Sequence, residues 1–306
     1  MNNSSPFSVS VVIPALNAGD YLENQLEAFK SQEPDIPIEI IIVDSGSSDK
    51  TLEIAGKEPL VKLIEITDFT HGRARNIGVR AAKGDIVALV TQDALPRNNR
   101  WLANLLKPLD DPKVAAVYSR QIPRDDAPPT ERFFLGHHFP ADKKIFRQKE
   151  EGQALALTDV FFSNVSAAIR RELLLKYPYD ESLIMSEDQQ FARDIINAGY
   201  TTVYQPESEV THSHKYSLSS AFRRYFDSVY SLTLIFPKHD MKTSGSIGLK
   251  YLWREFFYIL RKHPLYLPYY FLYTLAKASG TIAGHFAEKL PLQVARVFSA
   301  NRRHWK

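Results

Sequence analysis

Continuous apolar runs, not alternating ones, mark the first half of the chain. SVSVVIPAL, from Ser8 to Leu16, stays apolar until Asn17 and Gly19 close it. That pattern predicts a strand buried on both faces. IEIIIVDSGSSDKT predicts a second buried strand that breaks at Asp44 into a Ser/Gly turn, VKLIEIT a third, DIVALVTQD a fourth and VAAVYSRQI a fifth. Helical spacing separates them. Leu22, Leu26 and Phe29 share one face of residues 18–32, and Asp49 reads as an N-cap for a helix starting near Lys50. HGRARNIGVRAAKG is a helix ended by Gly84, and another runs from about Asn98 to Leu109. Strand–helix alternation with fully apolar strands argues an α/β domain: a Rossmann-like, mostly parallel sheet covered by helices on both faces.

Further along, Pro128 to Glu151 is charged and aromatic with little period, and predicts a mobile loop or lid. TDVFFSNVSAAIRRELL returns to strand then helix, SEDQQFARDIINAGY is a helix ended by Gly199, and TTVYQPESEV is a strand. The remainder is helical. Leu218, Phe222, Tyr225, Phe226 and Val229 form one face, with Arg223 and Arg224 beside it. Leu265 to Ala276 is apolar or aromatic apart from Pro268 and Thr274, which is short of the ~20 residues a membrane span needs. Two readings of this region follow: a basic-flanked helix lying in a membrane surface, or a helical subdomain packed on the core or on a second subunit of a homodimer. The expected division is a catalytic domain over 1–215 and a helical region over 216–306.

Charge sharpens that division. The net charge of the 306 residues is +3, but His212 to Lys306 holds 15 Lys and Arg against 4 Asp and Glu. A basic segment rich in aromatics suits an anionic membrane, whereas nucleic-acid binding lacks a recognisable module. The chain has no cysteine, which excludes disulfides, thiolate metal sites and thiol nucleophiles and fits a reducing compartment. The N-terminal MNNSSPFS is polar, so no signal peptide is expected.

In a parallel sheet ligands bind beyond the carboxyl ends of the strands. Asp44 and Asp93 both sit at such ends, and Asn17, in the turn after the first strand, joins them in one cleft. A carboxylate at the tip of VALVTQD either caps a loop or holds a cation for a phosphorylated ligand.

VVIPALNAGDYL, IIIVDSGSSDKT, HGRARNIGVRAAKGDIVALVTQDALP and SEDQQFARDIINAGY, in that order, resemble glycosyltransferases of family 2 with the GT-A fold. Within that family FFSNVSAAIRRE, TQDALP and EVTHSHKYS are similar to bacterial rhamnosyltransferases of O-antigen and exopolysaccharide assembly. The resemblance spans about residues 8–235. It implies an inverting, metal-assisted transfer of a sugar, L-rhamnose from dTDP-L-rhamnose, to a hydroxyl of a glycan carried on a polyprenyl diphosphate. The enzyme would then work peripherally on the cytoplasmic face of the plasma membrane. UDP-galactose or UDP-glucose as donor, and a non-catalytic sugar-nucleotide-binding protein, are the alternatives.

The resemblance assigns roles to residues. Pro14, Ala15, Asn17, Asp44 and Gln92 would hold the nucleotide; for Asp44 the competing reading is a turn-shaping acid. Arg73 or Arg75, at the start of their helix, would approach the phosphates or the sugar, or else form a solvated basic face. Asp93 would bind Mg²⁺ or Mn²⁺. The family commonly has Asp-x-Asp where this chain has Thr91-Gln92-Asp93, so His212 or His214 would supply a further ligand. Glu187-Asp188 matches the Glu-Asp motif in which the aspartate is the general base; the plain alternative is compensation of a helix dipole. Ser186 would cap that helix. Asn164 is assigned to the acceptor or the sugar, or else is a hydrogen-bonded core amide.

Overall fold

A computed structural model of the chain describes residues 7–34, 36–236 and 241–305. Residues 1–6, part of the polar segment from which no signal peptide was expected, lie outside the described residues. The strands are β1 (Val9–Ala15), β2 (Ile38–Asp44), β3 (Val61–Glu65), β4 (Ile86–Val90), β5 (Leu95–Pro96), β6 (Val114–Ile122), β7 (Ile145–Arg147), β8 (Ser166–Arg170) and β9 (Thr201–Thr211). They form one sheet in the order β3-β2-β1-β4-β8-β6-β9-β5, with β7 added beside β9. The five apolar runs read from the sequence are β1, β2, β3, β4 and β6. β1 pairs in parallel with β2 and β4, whereas β8 runs antiparallel to both its neighbours, β4 and β6.

Continuous apolar strands need cover on both faces, and the helices provide it. These are α1 (Leu22–Lys30), α2 (Thr51–Lys57), α3 (His71–Ala81), α4 (Trp101–Leu106), α5 (Pro129–His138), α6 (Arg171–Lys176), α7 (Glu187–Asn197), α8 (Leu218–Ile235), α9 (Met241–Lys262), α10 (Leu267–His285) and α11 (Leu292–Phe298). One core runs from Val11, Ile13, Ile40 and Ile42 through Ala88 to Trp101 and Leu105, all fully buried. Burying each such aliphatic side chain is worth about 1.5–3 kcal/mol before chain entropy is charged against it. On α3, a Cβ added to Gly78 would sit 2.3 Å from Val12 Cγ1, so only glycine lets this helix lie so close to β1.

The chain divides into two compact units. The first comprises the chain through Arg124 plus Phe139–Ser182 and Glu187–His212, and it contains the sheet. The second comprises Asp125–His138, Leu183–Ser186 and Ser213–Lys306. The segment expected to be a lid is ordered structure: Pro129–His138 is α5, and Ile145–Arg147 is β7, paired with Thr202–Tyr204 of β9. The physical reason is tertiary. Phe133 on α5 packs edge-on against Tyr251 at 5.3 Å and also meets Tyr258 on α9, a contact that local periodicity does not reveal.

Within the second unit, α8 and α10 touch backbone to backbone. Cβ atoms at Gly280 and Gly284 would come within 2.3 and 2.4 Å of the carbonyl oxygens of Phe222 and Phe226. Phe226, Ala287 and Ala295 centre a small core against which Phe298 and Trp305 pack. Among the described residues no helix is long and apolar enough to cross a membrane.

Candidate active site

The site grows from the carboxyl edge of the sheet in the first unit. β2 ends at Asp44, whose Oδ1 accepts the backbone N–H groups of Gly46 and Ser47, each at 2.8 Å, and whose Oδ2 accepts the Ser47 hydroxyl. Asp44 is fully buried. In this structure it therefore shapes the turn, the alternative weighed for it above. The turn in its place positions Asn17, which has a left-handed φ of 53°. Asn17 donates its N–H to Ser47 Oγ at 2.8 Å, and its Oδ1 accepts Ser48 N–H at 2.9 Å. Pro14 and Ala15 lie on the last turn of the β1 pleat, opposite Val43 and Asp44. Asp49 accepts Thr51 N–H at 3.0 Å and Gly19 N–H at 2.9 Å; it closes the turn before α2, whose N-cap position is Lys50 and not Asp49 as expected.

Gln92 ties two loops together. Its Oε1 accepts Leu16 N–H at 2.7 Å and its Nε2 donates to Leu16 O at 3.0 Å, an amide pair joining the β1 and β4 ends. Next to it stands Asp93, whose Oδ2 is 3.5 Å from His212 Nε2, just past the end of β9. Arg124 donates to the backbone oxygen of Asp93 at 2.5 Å and stacks over Tyr21.

The tautomer of His212 follows from its neighbours. Gln121 Nε2 donates to Ser163 Oγ at 3.0 Å, which turns Gln121 Oε1 toward His212 Nδ1, 3.0 Å away. His212 Nδ1 is then the N–H donor, and Nε2 is the ring nitrogen that faces Asp93. A lone pair and a carboxylate face each other stably only with a proton or a cation between them. An outward imidazole nitrogen whose other N–H is held by a carbonyl oxygen is the arrangement of a metal-ligating histidine. The donor set, one carboxylate and one imidazole, fits a divalent cation that takes its remaining ligands from a phosphorylated substrate and water. His214 lies two residues on, in the second unit.

A second line of bonds leads to the acids at the head of α7. Thr91 N–H donates to Val165 O at 3.0 Å, so residues 164–165 join the same sheet edge as Asp93. Asn164 N–H reaches Asp188 Oδ2 at 3.4 Å, and Gln189 N–H donates to Oδ1 at 2.9 Å. Ser186, just before α7, takes a left-handed φ of 65° rather than simply continuing the helix. Asn164 is itself buried and accepts the Tyr179 hydroxyl at 3.0 Å. It behaves as a core amide that positions Asp188, not as a group open to an acceptor. Tyr179 is anchored in turn by a reciprocal pair with Asn76 on α3, at 2.9 and 3.1 Å.

The arginines of α3 separate. Arg73 remains exposed, 3.3 Å from Asp68. Arg75 is buried and donates to Glu187 Oε1 at 2.7 Å. The expectation that Arg75 reaches phosphates is corrected here: a carboxylate 112 residues away turns its guanidinium inward. Burial works against the Glu187 charge, but Arg75 and His71 outweigh it and hold Glu187 below the ordinary carboxylate range. Asp188 moves the other way. Burial of its carboxyl, followed by the negative charge of Glu187, pushes it up to about 7. One acid is thus fixed as an ion while its neighbour exchanges a proton near neutrality, the division expected of a structural anion beside a general base.

The protein-family model for glycosyl transferase family 2 matches residues 10–177. The O-antigen chain rhamnosyltransferase RfbN of Salmonella typhimurium is 33% identical over 302 residues, covering 97% of this chain and 96% of that protein. The chain belongs to glycosyl transferase family 2. WbaN of Salmonella anatum, also described as an O-antigen chain rhamnosyltransferase, is 33% identical over 305 residues at 97% and 96% coverage. Among solved structures, the mannosyltransferase PcManGT from Pyrobaculum calidifontis, in complex with GDP-Man and Mn²⁺, covers 99% of this chain and 85% of its own. It aligns with a TM-score of 0.58 at 23% identity. TarS residues 1–349 from S. aureus, in complex with UDP-GlcNAc, align at a TM-score of 0.56 and 17% identity over 97% of this chain and 85% of that one. The glycosyltransferase has the GT-A architecture expected of the family, with its helical C-terminal part present. Three residues of the site escaped the sequence reading: Gln121, Arg124 and Tyr179. Each acts through partners 15 to 103 positions away, beyond any motif.

Proposed function

We propose that this glycosyltransferase moves L-rhamnose from dTDP-L-rhamnose to a hydroxyl of a lipid-linked glycan in bacterial surface-polysaccharide assembly, with inversion at the anomeric carbon. One observation carries the mechanism: the Asp188 carboxyl, raised toward neutrality, shares a sheet edge with Asp93 and His212. Identity to two rhamnosyltransferases over 97% of the chain supports the sugar and the pathway. Asp188 accepts the proton of the acceptor hydroxyl as its oxygen bonds to the anomeric carbon. The bond to the diphosphate oxygen breaks on the opposite face, and the nucleotide departs with that electron pair. The transition state has oxocarbenium character, as in glycoside hydrolysis, and a single displacement needs no enzyme nucleophile.

Asp93 and His212 would hold Mg²⁺ or Mn²⁺; the imidazole favours Mn²⁺. Bound there, the ion supplies positive charge against the leaving diphosphate. Pro14, Ala15, Asn17 and Gln92 present the loop edges on which the nucleotide lies, over the turn that Asp44 builds. Arg124, which donates to the Asp93 backbone oxygen, is a basic side chain of this edge, and Arg73 is the exposed arginine of α3. The acceptor is carried on a polyprenyl diphosphate and reached from the cytoplasmic face of the membrane. The test is donor turnover with Mn²⁺ over a panel of dTDP-L-rhamnose, UDP-galactose, UDP-glucose, GDP-mannose and UDP-GlcNAc. Turnover of dTDP-L-rhamnose above the rest is expected; preference for another nucleotide sugar would replace the donor while leaving the mechanism.

A further inference from the structure

Helix α10 is built inside out. Its exposed face carries Phe271, Leu272, Leu275 and Ile282, with Phe286 just beyond its end, at helical spacing; Leu275 is 63% and Ile282 62% exposed. Its buried face carries Tyr270, Tyr273, Gly280, Gly284 and its sole Lys, Lys277. A helix in water normally sorts the other way.

The neighbouring helix extends this surface. On α9, Leu249, Trp253, Phe257 and Leu260 are exposed at spacings of four, four and three. Phe256 meets Phe271 at 6.1 Å and Trp253 at the same distance, so the two helices present one continuous apolar sheet of side chains. Trp253, Phe257 and Tyr258 line a groove with Arg254, Arg261 and Lys262.

Charge is sorted with equal consistency. Between Leu249 and Phe286 the exposed charges are Lys250, Arg254, Arg261 and Lys262, all positive. The one acid in that stretch, Glu255, is buried, 3.2 Å from Lys277 Nζ. That ammonium is enclosed by the rings of Tyr225, Tyr251 and Tyr273, 5.5 to 5.6 Å from their centroids. The inward pair removes the only negative charge from the surface and the only positive charge from the apolar face of α10. What remains is apolar side chains, an exposed tryptophan and a rim of bases. A second copy of the same surface would set base against base. An anionic bilayer offers acyl chains to the apolar stripe and phosphates to the rim.

We propose that the α9–α10 face is the docking surface by which this glycosyltransferase lies on an anionic membrane, held by insertion of the α10 apolar face and by the α9 bases. The inference builds on the peripheral placement proposed above and supplies the surface responsible. It predicts that the full chain floats with phosphatidylcholine vesicles containing phosphatidylglycerol, weakly with phosphatidylcholine alone, and less as salt is raised. Trp253 is a native reporter: Trp101 is buried and Trp305 packs on the Phe226 core, so a blue shift of emission on vesicle addition that is lost in W253F reads insertion of α9.

Two variants, changed only at exposed positions, separate the forces. F271Q with L275Q should weaken vesicle binding about tenfold or more on both compositions. R254Q with R261Q and K262Q should lose the preference for phosphatidylglycerol, about fivefold per residue, while keeping the weak binding to neutral lipid. Donor hydrolysis in detergent should be unchanged in both. Failure of the wild-type chain to bind anionic vesicles, or equal binding by both variants, overturns the assignment. So does a dimer in sedimentation that F271Q with L275Q abolishes, because a second copy then covers the face. If donor hydrolysis is absent from the wild type as well, the transferase reading fails, and the vesicle result still decides the surface.

Discussion

In the sheet-bearing unit the apolar side chains fill strands buried on both faces, and the acids gather at one edge, where Asp93, Glu187 and Asp188 stand close to solvent or to each other. In the helical unit the arrangement of α10 is reversed: leucines outside, lysine inside. Both units nevertheless bury an ion pair, Arg75–Glu187 in one and Lys277–Glu255 in the other. The pairs differ in poise. Arg75 and His71 hold Glu187 below the usual carboxylate range, whereas burial leaves Glu255 above it despite Lys277. The first pair keeps a fixed negative charge beside Asp188, whose carboxyl is pushed up to about 7. The second serves to keep charge off a surface.

The largest break of this contrast is Asp188→Asn. Sugar transfer should fall about 10²–10⁴-fold while donor binding, read by calorimetry, survives. In the wild type only the ionised carboxyl accepts a proton, so kcat/KM should rise with pH through about 7. Ionising a group whose folded pKa is raised also costs stability, which is present at low pH and lost as pH climbs through that value. Glu187→Gln removes the nearby negative charge and should move the activity limb to lower pH.

Next come the two buried pairs. Arg75→Met leaves Glu187 charged and uncompensated, and urea unfolding should show a loss of about 3–5 kcal/mol. Lys277→Met should cost less and the loss should shrink at acid pH, because Glu255 takes up a proton more readily. Equal losses would erase the distinction drawn between the units. A smaller effect is expected from Gln121→Leu. It frees His212 to rotate and should lower Mn²⁺ affinity about 10–100-fold in titration calorimetry, with the fold intact by circular dichroism.

The smallest comparison sets the two faces of α10 against each other. Gly284→Ala drives a methyl group toward Phe226 O and should destabilise by about 1–3 kcal/mol. Leu275→Ala, which truncates a larger apolar group on the outer face, should change unfolding by less than about 0.5 kcal/mol.

What could be read beforehand depended on whether a residue's role is local. IEIIIVD and VVIPA declare buried strands because their own composition leaves no other place for them. Asp93 and Asp188 are legible because strand ends and helix starts are local features. Asn164 and Arg75 are not: the fate of each depends on a partner brought near by the fold, Tyr179 for one and Glu187 for the other. The PTERFFLGHH segment read as a lid because its apolar residues have no period of their own; its order comes from Phe133 packing against tyrosines of α9. The inward lysine of α10 was equally invisible, since a single basic residue in an aromatic run looks like its polar side.

The single carboxylate at the tip of β4 reaches further than its position. With Thr91 where a second acid would stand, the protein alone offers a cation little negative charge, and the donor's own diphosphate must make up the difference. Metal and donor then reinforce each other by an equal factor, whichever binds first. The donor saturation curve should therefore slide toward lower concentration as Mn²⁺ is raised, making the enzyme's appetite for its sugar nucleotide a readout of how much free metal surrounds it.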